Sequence, residues 1–235
     1  MDDNDPGARI ALALDVPDLD TAKALIDKTR EYVGTFKVGL ELYTAVGPAA
    51  VDVVHAAGAK CFLDLKLHDI PATMGRSVAR AASMGVAYLT VHAVAGLDSL
   101  QEASDNSGST RLLAVTVLTS LDAAALEEIG LSGGPREAAD RLARLAWNAG
   151  LRGLVTSAHE CAALRGALGV EAFLVTPGIR PAGADAGDQK RVMTPAQAIE
   201  AGADLLVVGR PIRDANDPEE AAADIARQVQ LALLQ

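Results

Sequence analysis

Eight short apolar segments, separated by longer stretches with helical spacing, are the feature that most constrains the fold of this chain. Short runs rich in Val, Ile and Leu between amphipathic stretches are typical of repeating strand–helix units and a parallel sheet. The sequence therefore predicts strands over residues 10–14, 35–38, 60–65, 88–92, 112–117, 153–157, 172–176 and 205–209.

Glycines at four of the predicted helix ends support this count of units. Gly58, Gly85, Gly150 and Gly202 each come shortly before a predicted strand, where a helix commonly ends on a left-handed glycine. The 235 residues divided among eight units give a period of roughly 29, which suits one strand and one helix. Amphipathic helices are predicted over residues 18–33 and 141–149.

Eight consecutive right-handed units can either close into a barrel or form a doubly wound sheet. No GxGxxG follows the first strand, and no composition break divides the chain into halves. The Gly- and Pro-rich stretches 132–135 and 177–187 lie between units and are interpreted as insertion loops. We therefore predict an α/β protein with a single (β/α)8 TIM-barrel domain over residues 1–235.

Composition excludes several classes of function. With 21 Lys and Arg against 31 Asp and Glu, the net charge of −10 disfavours binding to nucleic acid. No uncharged run reaches the roughly 20 apolar residues of a membrane span, and the first nine residues lack the pattern of a signal peptide. Cys61 and Cys161 form no paired motif and are expected to pack in the core. These features predict a soluble cytoplasmic protein.

Charged residues occur at the ends of the first three predicted strands, where the active sites of such barrels lie. Asp15 ends the first strand, Lys37 lies in the second, and Asp64 and Lys66 lie on one face of the third. One such pair could simply be a structural ion pair. Several neighbouring charges are costly to bury unless they pair with one another, so their grouping favours a functional site.

The residues after the third strand leave two interpretations open. Asp69 precedes Pro71, which keeps Ile70 out of the helical region, so Asp69 could either serve a helix beginning near residue 72 or take part in the site. His68 and His92 could be metal ligands, but no HxH, HExxH or Cys/His spacing accompanies them. We interpret both histidines as structural and predict no metal site.

The last two units carry features of a phosphate site. Gly209 and Arg210 follow the eighth strand, and the loops after the seventh and eighth strands commonly bind phosphate in such barrels. The preceding loop contains Arg180, several glycines and Gln189, and is interpreted as a lid over that phosphate. A flexible surface loop with a solvated arginine is the alternative.

In order and spacing, these residues resemble the orotidine 5′-phosphate decarboxylase family. The most specific matches are DLKLHDIPAT at residues 64–73 and PGIR at 177–180. ALD at 13–15, KVG at 37–39, LTS at 118–120 and VGR at 208–210 follow in the expected order, so the resemblance covers nearly the whole chain.

The resemblance implies decarboxylation of orotidine 5′-monophosphate (OMP) to UMP, the last step of UMP synthesis. It implies that Lys66 protonates pyrimidine C6 and that Lys37, Asp64, Lys66 and Asp69 form a charged tetrad. It further implies a homodimer in which Asp69 and Thr73 reach into the partner's site. The substrate-binding residues implied are Asp15, Lys37, Asp64, Asp69, Ile70, Thr73, Thr119, Arg180, Gln189, Gly209 and Arg210.

The chemistry of that reaction agrees with the residue types. Loss of CO₂ leaves a carbanion with no adjacent carbonyl to delocalise it, so a preorganised electrostatic environment is needed rather than a metal or an organic cofactor. Two alternatives stay open: a Mg²⁺-dependent sugar-phosphate decarboxylase or aldolase, and a non-catalytic nucleotide-binding barrel. The HDIP stretch and the long loop disfavour the first, and the presence of Lys66 and Asp69 disfavours the second.

Overall fold

The eight predicted strands form a closed parallel barrel in which each strand pairs with the next along the chain. The computed structural model describes residues 5–181 and 192–234. The strands are β1 (Ile10–Ala13), β2 (Thr35–Val38), β3 (Lys60–Leu67), β4 (Tyr88–His92), β5 (Arg111–Val115), β6 (Gly153–Val155), β7 (Phe173–Thr176) and β8 (Leu205–Val208). Pairing of Ile10 with Leu206 is part of the register that joins β1 to β8 and closes the barrel. The predicted fold class is confirmed.

Helices surround the barrel and cover its outer face. They are α1 (Leu19–Thr29), α2 (Leu40–Val46), α3 (Ala49–Ala56), α4 (Pro71–Ser83), α5 (Leu97–Asp105), α6 (Ala123–Glu128), α7 (Pro135–Asn148), α8 (Ala158–Leu168), α9 (Pro195–Glu200), α10 (Arg210–Arg213) and α11 (Pro218–Leu233). Short 3-10 turns occur at Pro6–Arg9 and Ala93–Ala95. The assignment of residues 1–235 to one domain stays a prediction.

Local sequence explains where several helices begin and end. Asp18 and Asp217 accept backbone N–H groups at the starts of α1 and α11, as expected of N-cap carboxylates. All four glycines predicted at helix ends have positive φ, between 73° and 97°. The helix predicted over 141–149 was too short, because α7 already begins at Pro135 and buries Ala138 and Ala139.

Two apolar layers hold the barrel together. The larger lies between the strands and the helices and includes both cysteines, which are free and fully buried. Burial raises the pKa of the Cys61 thiol to about 12 and that of Cys161 to about 11, so both thiols are protonated packing groups. Their predicted role in the core is confirmed.

The smaller layer fills the barrel interior. Tyr88 meets the edge of Phe62 at 5.9 Å and stacks on Phe173 at 5.5 Å, and small aliphatic side chains complete the cluster. Three of the few aromatic residues in this chain are therefore concentrated in the lumen, where they close the barrel below its carboxyl-terminal mouth. Phe62 also lines the cavity above, so this layer forms the floor of the site.

Candidate active site

A cavity of about 470 Å³ opens at the carboxyl-terminal ends of the strands. This is the end of a (β/α)8 barrel at which catalytic groups converge from different strands. Its walls combine charged and threonine side chains with small apolar ones. The lining residues used below are Asp15, Lys37, Asp64, Lys66, Thr90, Thr119, Arg180, Gly209, Arg210 and Arg213.

Four of the predicted residues form a continuous row of alternating charges across this cavity. The Nζ of Lys37 lies 3.2 Å from Oδ1 of Asp15 and 3.3 Å from Oδ2 of Asp64. The Nζ of Lys66 lies 2.9 Å from both carboxylate oxygens of Asp64. Adjacent strands supply these groups, so the parallel register of β1, β2 and β3 brings residues that are distant in sequence into one row.

Gly39 makes room for the beginning of this row. A Cβ atom at position 39 would lie 3.0 Å from both Oδ1 of Asp15 and Nζ of Lys37. Contacts that short are tighter than ordinary van der Waals packing, so a side chain there would press on the ion pair. The glycine after β2 is thus explained by the close approach of the Asp15–Lys37 pair.

Asp64 is the central carboxylate of the row and is buried. Burial alone would raise its pKa, but the ammonium groups of Lys37 and Lys66, together with hydrogen bonds from Lys66 and Thr90, hold the pKa of Asp64 below its usual value. Asp64 is therefore ionised at neutral pH. It is an anion with fixed position between two cations.

Lys66 has an unusual backbone for a strand residue. Its φ of 49° makes it the one non-glycine residue with positive φ in the described ranges 5–181 and 192–234. The pairing of β3 with β4 shifts register between Leu63 and Leu67, so strict strand geometry is interrupted at this position. Such left-handed conformations cost about 1–3 kcal/mol and concentrate at functional sites.

Three arginines line the side of the cavity formed by the last two strands. Arg180 is buried, which excludes the interpretation of a solvated loop arginine, and its Nη1 donates to the carbonyl of Ile179 at 2.8 Å. Arg210 follows Gly209 directly after β8, as the sequence indicated. Arg213 donates to the carbonyl of Asp15 at 3.0 Å, which connects this side to the charged row. Gln189 lies outside the described residues.

Asp69 lies apart from the cavity of its own chain. Its Oδ1 accepts the N–H of Ile70 at 2.7 Å, and its carbonyl accepts a hydrogen bond from Ser99 at 3.0 Å. Asp69 and Ile70 line a separate open depression with Leu97 and neighbouring residues. The structure thus brings Lys37, Asp64 and Lys66 together and leaves the fourth predicted member of the tetrad at the surface.

Thr73 lies on α4, two residues after Pro71, and does not line the charged cavity. Its hydroxyl accepts a hydrogen bond from Arg76 at 3.5 Å. Ile70 precedes the helix with extended backbone angles, as expected of a residue before proline, and its side chain is 68% exposed. Thr119, by contrast, is buried in the wall of the charged cavity.

His68 and His92 lie close together, with ring centroids 5.9 Å apart. Burial is the main cause that holds the pKa of His92 below its usual value, and the nearby His68 and Lys66 lower that pKa further. The ring of His92 is therefore neutral at physiological pH. Within residues 5–181 and 192–234, no group of three His, Cys, Asp or Glu side chains is placed to bind a metal. No helix in these ranges is long and apolar enough to cross a membrane.

Sequence reasoning missed two residues of the site. Arg213 lies one helical turn after Arg210, and that i, i+3 spacing could have indicated it. Thr90 lies inside β4 among apolar residues, and its hydroxyl contacts both Asp64 and the backbone of Lys66. A buried threonine in a strand carries no distinctive sequence signal, so only the structure could identify it.

The closed barrel and the charges at its carboxyl-terminal mouth define a (β/α)8-barrel enzyme. Residues 8–225 match the family model described as orotidine 5′-phosphate decarboxylase / HUMPS family. The orotidine 5′-phosphate decarboxylase of Anaeromyxobacter sp. (strain K) is 54% identical over 222 residues, covering 94% of this chain and 98% of that protein. The enzyme of that name from Thermobifida fusca (strain YX) is 52% identical over 224 residues, covering 95% and 96%.

A solved structure agrees with these sequence comparisons. The crystal structure of orotidine 5′-phosphate decarboxylase from Lactobacillus acidophilus superposes with a TM-score of 0.83 at 33% identity, covering 94% of this chain and 99% of that one. The chain belongs to the orotidine 5′-phosphate decarboxylase / HUMPS family. The resemblance inferred from the sequence motifs is confirmed.

Proposed function

We propose that this chain decarboxylates orotidine 5′-monophosphate to UMP and CO₂ without a metal or organic cofactor, as the last step of UMP synthesis. The observation that carries the proposal is the Asp64–Lys66 pair, whose charged groups are 2.9 Å apart within the cavity. Relatives that share about half of its residues over most of their length carry the name of this activity. The reaction class is that of a carboxy-lyase.

The proposed reaction needs one proton donor. The bond between C6 and the carboxyl carbon breaks, CO₂ leaves, and the electron pair stays on C6. A proton from the Nζ of Lys66 then forms the new C6–H bond, and solvent reprotonates the amine. Because the carbanion is not delocalised onto a carbonyl, the fixed charge of Lys66 stabilises it before the proton moves.

The other residues of the charged row hold Lys66 and the ribose. Asp64 positions the ammonium of Lys66 by accepting hydrogen bonds from it at both carboxylate oxygens. Asp64 is also proposed to lie near the substrate carboxylate. Asp15 and Lys37 are proposed to bind the ribose hydroxyls, since a paired carboxylate and ammonium offer both an acceptor and donors. Thr119 is proposed to contact the pyrimidine.

Phosphate binding is proposed for the side of the cavity formed by the carboxyl-terminal ends of β7 and β8. Gly209 lets the backbone approach the ligand closely, and the guanidinium groups of Arg210 and Arg180 supply positive charge in a chain whose net charge is −10. Gln189 is proposed to join them from the loop after β7. Binding energy from the remote phosphate can then be expressed in the transition state at C6.

A homodimer is proposed to complete each site. Asp69 and Thr73 lie outside their own cavity, and beside them Ile70 is 68% exposed and Leu97 39% exposed. If a second copy of the chain covers these apolar side chains, Asp69 and Thr73 of one chain can lie beside Lys66 of the other.

Free cysteines and the absence of a membrane-spanning helix in the described residues suit the proposed cytoplasmic location.

Mixing two inactive variants tests the shared site. Lys66→Ala and Asp69→Ala homodimers should each lack turnover, whereas a heterodimer would contain one site with both wild-type residues. Random exchange yields half heterodimers, each with one intact site, so the mixture should recover about a quarter of wild-type activity. Recovery of no activity after demonstrated subunit exchange would contradict a site built from two chains.

The activity itself is tested by following loss of OMP absorbance with and without EDTA. Turnover that EDTA leaves unchanged is the expected result. Turnover that EDTA abolishes, or activity only on a sugar phosphate with Mg²⁺, would favour the alternative within the same fold. The carboxylates of the row lie against lysine ammonium groups rather than beside one another, which does not suit a divalent cation.

A further inference from the structure

Thr90 forms hydrogen bonds with Asp64 and Lys66, the last two members of the charged row. Its hydroxyl donates to Oδ1 of Asp64 at 2.9 Å and accepts the backbone N–H of Lys66 at the same distance. The residue is fully buried in β4 and lines the cavity. One hydroxyl therefore uses both its donor and an acceptor on the pair that the proposed reaction requires.

The second of these hydrogen bonds falls where the backbone is strained. Lys66 has a φ of 49°, and the ladder between β3 and β4 loses its regular register on either side of it. Its N–H has therefore left the ordinary strand pattern and is satisfied by a side chain instead. A left-handed lysine persists only where its surroundings hold it, and this hydrogen bond is one of the contacts in those surroundings.

We infer that Thr90 is a positioning residue for decarboxylation, whose hydroxyl fixes the backbone of Lys66 and the carboxylate of Asp64 relative to each other. The inference rests on the proposed function, because its consequence is measured as turnover. Thr90 does not need to touch the substrate. Its effect is transmitted through the orientation of the proton-donating ammonium, for which a displacement of about 1 Å can lower the rate about a hundredfold.

Thr90→Val replaces the hydroxyl with a methyl group of similar size and is the principal variant. Its kcat for OMP should fall about tenfold to a hundredfold, the scale of a lost hydrogen bond to a charged group, while UMP affinity changes less than about threefold. Thr110→Val is the matched control. Thr110 is also buried and its hydroxyl donates to the carbonyl of Val86 at 2.8 Å, outside the cavity, so its kcat should be unchanged.

A pair of smaller variants isolates the hydroxyl if Thr90→Val folds poorly. Thr90→Ser keeps the hydroxyl and Thr90→Ala removes it, and both lack the methyl group. Thr90→Ser should retain most of the turnover that Thr90→Ala loses. Equal losses in the two variants, or equal kcat in Thr90→Val and Thr110→Val, would overturn the inference.

The pH profile supplies a measurement that general destabilisation would not change. The hydrogen bond from Thr90 lowers the pKa of Asp64, so its removal raises that pKa and moves the acidic limb of kcat to higher pH. The charged or titratable groups that face Asp64 are Lys37 on β2, Lys66 on β3, His92 on β4 and, through Lys37, Asp15 after β1. All are retained in Thr90→Val, so an unmoved acidic limb would contradict the inference.

A crystal structure of Thr90→Val separates this inference from the proposed function. We expect Lys66 to leave positive φ or its Nζ to move beyond about 4 Å from Asp64, the limit of an ion pair. This result does not depend on turnover. If wild-type protein fails to decarboxylate OMP, the proposed function is wrong. If wild-type protein decarboxylates OMP, and Asp64 and Lys66 keep their geometry in the Thr90→Val variant, the inference about Thr90 is wrong.

Discussion

Neutralising Asp64 should destabilise the fold far more than neutralising a surface carboxylate with the same ion-pair distance. The Asp64 side chain is 11% exposed and lies 2.9 Å from Lys66 and 3.3 Å from Lys37. Asp140 also lies 2.9 Å from its partner Arg144, but its side chain is 44% exposed. A comparison of Asp64→Asn with Asp140→Asn therefore measures the effect of burial on stability at a constant ion-pair distance.

The expected magnitude follows from what each substitution leaves behind. Removing one partner of a fully buried pair costs about 3–5 kcal/mol, because the remaining charge is uncompensated. Lys37 retains Asp15 at 3.2 Å and Lys66 is 31% exposed, so we reduce the expected loss for Asp64→Asn to about 2–4 kcal/mol. The exposed helical pair of Asp140 should contribute little to stability, because solvent screens both of its charges.

Urea unfolding followed by Trp147 fluorescence and circular dichroism measures both losses, at one fixed protein concentration because association also stabilises the native state. The folded pKa of Asp64 is lowered, so its contribution is complete above the unfolded pKa of about 3.9 and disappears as pH falls through the folded value. The difference between wild type and Asp64→Asn should be constant from pH 5 to about 8 and shrink below about pH 4. Equal losses in the two variants, or a stabilised Asp64→Asn, would refute this reasoning.

Three further predictions concern activity, phosphate binding and packing. Lys66→Ala should lower turnover by at least about 10²–10⁴-fold while UMP binding measured by calorimetry is largely kept, and comparable turnover would exclude Lys66 as the proton donor. Arg210→Ala should weaken UMP binding by about 1.5–3 kcal/mol, and an unchanged dissociation constant would place the phosphate elsewhere. Gly153→Ala should destabilise the barrel by about 1–3 kcal/mol or more, since a Cβ there would overlap the Leu112 carbonyl, whereas Gly166→Ala in α8 meets open space and should stabilise by roughly 0.5–1 kcal/mol. Urea unfolding of the two glycine variants measures both changes in stability. Changes of the same sign in the two variants would contradict the packing argument.

Much of the architecture could be predicted because its signals are local. Strand and helix periodicity depend on neighbouring residues, and the four helix-ending glycines have the positive φ that their positions indicated. The predicted boundaries were wrong at the ends of some strands and helices, where competing hydrogen bonds determine the last residue of the element. The strand predicted over 60–65 continues to Leu67, and α7 begins six residues before the predicted start.

The charged site could be predicted in composition but only partly in arrangement. Asp15, Lys37, Asp64 and Lys66 were indicated by ionisable groups at strand ends, and they do form one row. The separation of Asp69 from its own cavity follows from the path of the chain between β3 and α4, which local patterning does not specify. Its proposed role in a second copy's site stays a prediction.

The alternation of apolar and helical segments determined the eightfold barrel, because burying one face of each element leaves few ways to arrange eight such units. The charged residues at the carboxyl-terminal ends of β1, β2 and β3, and the Gly209–Arg210 pair after β8, determined which residue types reach its mouth. Tertiary structure alone decided how they meet: the shifted register between β3 and β4, the left-handed Lys66, and the hydroxyl of Thr90 between it and Asp64. Those contacts join residues 24 and 26 positions apart, so they exist only after the strands have paired, and no local pattern encodes them.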